Sequence, residues 1–115
     1  MGWTNLEAGY INKDTFYGER VGIISASINR ANYRNALILK YNKDGIYLKP
    51  IILFRMFHKP VLIPWKEIKE VRDKRILFNT LKELVIGQPV VATITITEEI
   101  YRKIESNLVQ YSLPV

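Results

Sequence analysis

Cysteine is absent from this chain of 115 residues, which removes disulfides, thiolate metal sites, iron–sulfur clusters and a cysteine nucleophile from consideration. Histidine occurs once, as His58, with no pair of carboxylates near it in the sequence, and that falls short of the usual metal-ligand sets. No serine stands in a nucleophile-elbow pattern, and no glycine-rich loop suited to cradling phosphates is present. No apolar run approaches the roughly 20 residues that span a bilayer, and the amino terminus lacks a basic segment followed by an apolar one. The expectation from these absences is a chain that is not an enzyme, holds neither metal nor cofactor, and resides in the cytoplasm.

What the chain does contain is 48% hydrophobic residues and length enough for one core. Its organising stretch is 44–65, DGIYLKPIILFRMFHKPVLIPW, in which two apolar runs flank Arg55-Met56-Phe57-His58-Lys59. Asp44-Gly45 predicts a type I′ hairpin turn, because both central residues of that turn need positive φ. Ahead of it, Tyr33, Asn35, Leu37, Leu39 and Tyr41 alternate with Arg34, Ala36, Ile38 and Lys40; behind it, Ile46 and Leu48 alternate with Tyr47 and Lys49. Pro50 cannot donate to a ladder, so Ile51-Ile52-Leu53-Phe54 reads as an edge continuation or a bent strand. Val61-Leu62-Ile63, between Pro60 and Pro64, predicts a short strand, followed by Trp65 as a packed anchor whose indole nitrogen needs an acceptor.

Around this centre, Trp3, Leu6 and Tyr10 are spaced as one stripe of a short helix. Residues 20–29 predict a first strand with Gly22, Ile24, Ala26 and Ile28 on one face, and 68–78 a charged, amphipathic fifth strand near a sheet edge. Leu81 to Ile86 gives a sixth strand. Val90 to Thr97 gives a seventh, with Val90, Ala92, Ile94 and Ile96 inward and the threonines outward. Thr97 then caps a helix that carries Glu98 and Glu99 in its first turn and Ile100, Tyr101, Ile104 and Leu108 on its apolar stripe. The predicted fold is mainly β: a seven-stranded, bent antiparallel sheet rolled into a barrel or sandwich, with a C-terminal capping helix and a short N-terminal helix. Its parts are an N-terminal helical segment over 1–18, the domain proper over 19–110 and a tail over 111–115.

That element order is the one found in pleckstrin-homology-like folds. Gly2-Trp3 with Leu6 and Tyr10, Asn32-Tyr33-Arg34-Asn35, Gly45-Ile46-Tyr47-Leu48, Leu53-Phe54-Arg55, His58-Lys59-Pro60 and Leu62-Ile63-Pro64-Trp65 with Ile68 together resemble a group of small uncharacterised bacterial proteins. The resemblance implies a PH-like or GRAM-like domain, often preceded in that group by a membrane-spanning segment ahead of the Gly-Trp pair. It therefore implies a binding or scaffolding module working at the cytoplasmic surface of the inner membrane. The abrupt Met1-Gly2-Trp3 opening fits a natural chain with further residues upstream.

The formal net charge of +6, from 17 basic and 11 acidic residues, favours acidic partners through long-range attraction. Arg55, His58 and Lys59, with the apolar Phe57 among them, are the first candidates for binding an anion or a partner, Arg55 presenting a fork of donors to phosphate or carboxylate. In the other reading of the same residues, Arg55 and His58 hydrogen-bond nearby carbonyls and brace a loop. Lys66, Lys69, Arg72, Lys74 and Arg75 form a secondary basic surface. The expected partner is a protein or an anionic membrane surface, with homo-oligomerisation open. The alternative is a basic β-barrel that binds single-stranded nucleic acid by stacking bases on Tyr17, Tyr33, Tyr41, Tyr47 or Phe54.

Overall fold

The computed structural model describes residues 2–12, 15–29, 31–51 and 59–111. A helix, α1 (Gly2–Tyr10), leads into four strands, β1 (Glu19–Ile28), β2 (Ala31–Tyr41), β3 (Gly45–Pro50) and β4 (Val61–Pro64). A single 3-10 turn, Trp65–Glu67, connects these to β5 (Ile68–Ile76), β6 (Asn79–Ile86) and β7 (Ala92–Thr97), and α2 (Glu98–Tyr111) closes the chain. The seven strands form one curled antiparallel sheet, as the sequence predicted, in the order β4-β3-β2-β1-β7-β6-β5.

The curl arises where β1 changes partners. Along its length β1 pairs with β2, whereas only Ser27 and Ile28 pair with β7, opposite Thr95 and Ile94. The ladder between β1 and β2 slips twice, near Gly22 and again between Ile24 and Ala26, where Asn35 on β2 takes a positive φ and its amide bonds the Ser25 hydroxyl at 2.7 Å. Such bulges bend and coil a strand. Gly22, with φ of 127°, occupies backbone space that an L side chain rarely enters.

The concave side carries the core. Ile24, Ala26 and Ile28 of β1, Leu37 and Leu39 of β2, Ile46 and Leu48 of β3, Val61 and Ile63 of β4, and Ala92, Ile94 and Ile96 of β7 share one buried cluster. Tyr101, Ile104 and Leu108 of α2 and Trp3 and Leu6 of α1 complete it, so the N-terminal helix belongs to the same core as the strands. The Thr97 hydroxyl accepts from the Ile100 amide at 3.2 Å, satisfying one orphan donor of α2 as its sequence implied. Trp65 is 1% exposed, and its indole nitrogen donates to the Asn42 carbonyl at 2.7 Å.

Three details differ from the expectations. Neither Asp44 nor Gly45 has positive φ, so the β2–β3 turn is not of type I′. Instead the Asn42 side chain accepts from the amides of Asp44 and Gly45, at 2.7 and 3.3 Å. Glycine is needed at 45 for closeness: a Cβ there would fall on the backbone of Ile63 in β4. Val90 is not an inward strand residue, because β7 starts at Ala92 and Val90 lies exposed in the preceding turn. Tyr47, a candidate for stacking an exposed base, is instead buried, with Phe16 stacked on it at 4.8 Å over the side of β3 away from Ile46 and Leu48.

Candidate functional site

Of the first candidate set, Arg55, Phe57 and His58 lie outside the described residues, as do Ile52, Leu53 and Phe54 of the expected edge continuation. Lys59 is described, and its backbone is stitched to α1: its amide donates to the Glu7 carboxylate and its carbonyl accepts from the Trp3 indole at 3.0 Å. The next carbonyl, that of Pro60, accepts from the Asn12 amide at 3.0 Å, and Ile11 bridges to Val61. These contacts occupy the outer edge of β4. Near the other end of β4, Tyr10 donates to Glu67 at 2.8 Å; burial, reinforced by the hydrogen bond to the Glu67 carboxylate and its charge, pushes the phenol up to about 12.

The second basic set falls on β5 and the turn before it, and strand alternation divides it. Lys66 is exposed on the 3-10 turn, and Lys69 pairs with Glu67 at 3.8 Å, beside the bulge between Ile68 and Glu70. Arg72 and Lys74 stand opposite Glu83 and Leu81 on the convex face, whereas Arg75 stands opposite Thr80 on the face that carries α2. Arg72 is bound to Glu70 at 3.0 Å and lies 3.9 Å from Glu83. That arginine holds the Glu70 carboxyl below its ordinary range. Lys82 pairs with Asp73 at 2.5 Å and lies 5.3 Å from the centre of the Tyr101 ring; the hydrogen bond it donates to the Asp73 carboxylate raises its pKa. Among the described residues, Lys74 and Arg75 have no acidic partner.

Charge neutralisation thus runs out along the β5–β6 ribbon. Up to the Asp73–Lys82 bridge each cation is matched; beyond it come Lys74, Arg75, Ile76, Leu77, Phe78, Asn79, Thr80 and Leu81, with no acid among them. The two residues that turn the ribbon, between the paired Ile76 and Asn79, are Leu77 and Phe78, 85% and 101% exposed, and Ile76 beside them is 48% exposed. Leu77 has φ of 54° while Phe78 does not share the positive φ. That is the pattern of a turn whose first central residue is ordinarily glycine. By sequence alone 77 and 78 continue the strand, since no Gly, Pro or Asn-Gly marks a turn there.

On the convex face beside this ribbon lies a polar trough of about 620 Å³ spanning β2, β1, β7, β6 and β5, with Ser27, Thr93 and Thr95 on its floor and Arg72 and Glu83 on its wall. Its polar groups are largely engaged with each other: Ser27 bonds Asn32 at 2.5 Å and the Thr93 amide bonds the Asn29 side chain at 2.7 Å. Of the aromatic residues considered for base stacking, Tyr47 is buried and Tyr33 and Tyr41 pack against the core, as their shared face with Leu37 and Leu39 suggested; Tyr17 is 81% exposed. Among the described residues no three of His, Cys, Asp and Glu gather as a metal site, and no helix is long and apolar enough to cross a membrane. Compared with protein-family models, curated proteins and solved structures, the chain matches none.

Proposed function

We propose that this chain is a non-catalytic binding module of PH-like build that docks onto an acidic surface, a protein's or an anionic membrane's, on the cytoplasmic side of the inner membrane. The observation that carries the reading is the β5–β6 ribbon, where Lys74 and Arg75 stand without acidic partners beyond a stretch in which the other cations are matched. Unmatched cations clustered at one end of a domain attract an acidic surface without first having to leave an internal ion pair. The seven antiparallel strands and closing helix support the PH-like reading, and such a fold leaves the ligand to be argued from the site itself. The secondary basic residues Lys66, Lys69 and Arg72 add to the field, although the last two are already paired.

The test is association of the purified chain with two polyanions, vesicles rich in phosphatidylglycerol and soluble polyglutamate, at about 0.15 M salt where long-range attraction between exposed charges is screened beyond about 8 Å. Uncharged vesicles serve as the reference. The reading expects binding to the polyanions and its loss in Lys74→Glu with Arg75→Glu. Binding to neither polyanion, or binding that the charge reversal leaves intact, would discard it.

A further inference from the structure

We infer that the β5–β6 hairpin tip is a bilayer-insertion finger: Ile76, Leu77 and Phe78 enter an anionic lipid surface while Lys74 and Arg75 meet its phosphates. This rests on the acidic-surface reading above and commits it to one occupant, an anionic membrane. Three observations lead there. First, consecutive apolar residues stand at the turn of the β5–β6 hairpin, just beyond Leu81, where the pairing of β6 with β7 stops, with Phe78 fully exposed. Large side chains exposed singly need no explanation, but three together at a tip form a patch with a purpose.

Second, the two cations flank the finger from opposite faces, Lys74 on the convex side and Arg75 on the α2 side. A protein patch approached from one side would use one face of the ribbon. Positive charge on both faces, one to four residues behind the tip, matches a finger lowered through a plane of phosphates. At about 3.3 Å per residue those cations sit roughly 5–10 Å behind the apolar end, the depth to which interfacial apolar groups enter the headgroup and acyl boundary. The lipid chemistry required is an anionic headgroup above fluid acyl chains.

Third, Leu77 holds a positive φ in a turn position where glycine is the ordinary residue. A bulky residue there is a true outlier, and its side chain gains no packing in return, since it is 85% exposed. Folding alone does not account for leucine at that position; contact with something apolar outside the chain does.

The chain lacks cysteine, so Phe78→Cys creates a unique attachment point for an environment-sensitive fluorophore. Val90→Cys, in the exposed turn at the other end of β6 and roughly 25 Å away, is the matched control. With phosphatidylglycerol vesicles, the label at 78 should shift to the blue and be quenched by nitroxides carried on lipid acyl chains, while the label at 90 should do neither. In the unlabelled chain, Leu77→Ser with Phe78→Ser should weaken vesicle partition about tenfold or more without altering retention on polyglutamate. Bound vesicles with the label at 78 still in water, or an undiminished partition of the double serine variant, would overturn the finger and leave the acidic-surface reading standing. Loss of polyglutamate binding in the Lys74→Glu, Arg75→Glu pair alongside no vesicle binding would assign the surface to an acidic protein. A dimer in sedimentation that dissociates on Phe78→Ser would make the tip a contact between copies and likewise overturn the bilayer assignment.

Discussion

At the β2–β3 turn, both the side chain and the main chain of Asn42 are hydrogen-bonded. Its side chain accepts from the amides of Asp44 and Gly45 and donates to the Tyr17 carbonyl at 2.9 Å, and its own carbonyl receives the Trp65 indole. At the β5–β6 turn, by contrast, Leu77 and Phe78 project into solvent, and the first of them holds a conformation disfavoured for its type. Both turns reverse antiparallel ribbons of one sheet, so their difference is not imposed by topology. The first turn is built from residues whose local chemistry agrees with the fold, while the second breaks turn chemistry and solvent exposure rules together. Where local preference and fold disagree without an internal return, the balance is expected at a functional site.

The comparison is broken most readily at Gly45. Gly45→Ala places a methyl group against the Ile63 backbone, across the β3–β4 pairing of Gly45 with Pro64. The expected loss is about 3 kcal/mol, at the upper end of overpacking costs because the obstructing atoms are main chain. Chemical denaturation would read it as a fall in midpoint. A loss below about 0.5 kcal/mol would mean that β4 can move away, and that the β2–β3 end is looser than its contacts imply.

Asn42→Ala should cost less, about 1 kcal/mol, because the side-chain hydrogen bonds at this partly exposed turn are replaced by water while the Trp65 contact to the main-chain carbonyl survives. The matched change at the other turn, Phe78→Ser, should leave stability within about 0.5 kcal/mol, since a fully exposed side chain has no packing to lose. Equal costs at the two turns would erase the distinction drawn between them.

How far the sequence disclosed these two ends depends on the range of the interactions involved. Trp65 was legible as an anchor needing an acceptor, and Thr97 as a cap, because an indole nitrogen and a helix start state their needs locally. Leu37 and Leu39 of β2 and Ala92, Ile94 and Ile96 of β7 face the core as alternation of period two implies, whereas Asn35, on the same predicted face as Leu37, is exposed because the β1–β2 ladder slips beside it. Gly45 was recognised as a turn glycine for the wrong reason: the constraint comes from Ile63, a residue far along the chain whose approach no local pattern encodes. The burial of Tyr47 is not legible in the sequence, because alternation says nothing about a segment such as that of Phe16 folding over the side away from Ile46 and Leu48. Lys66, Lys69, Arg72, Lys74 and Arg75 were legible as a basic run, but which cations are neutralised depends on cross-strand partners such as Glu83, fixed only by register. The apolar tip was hidden for the opposite reason: without a turn-forming residue, Ile76-Leu77-Phe78 is indistinguishable from the end of a strand.

Leu77→Gly is the change expected to raise stability rather than lower it, and it separates two accounts of the tip. Relief of the positive φ is worth roughly 1–2 kcal/mol for an L residue in the left-handed region, and glycine returns about 0.5–1 kcal/mol of that as added unfolded-state entropy. The variant should therefore be more stable by up to about 1 kcal/mol, a rise of a few degrees in Tm, because Leu77 gives up no buried surface on replacement. Vesicle partition should fall in the same variant. A gain in stability with a loss of partition means that leucine is kept at a folding cost for the sake of the contact outside the chain. A loss of stability would mean that Leu77 contributes to the fold after all, and the contrast with Asn42 would then lie in the kind of turn alone.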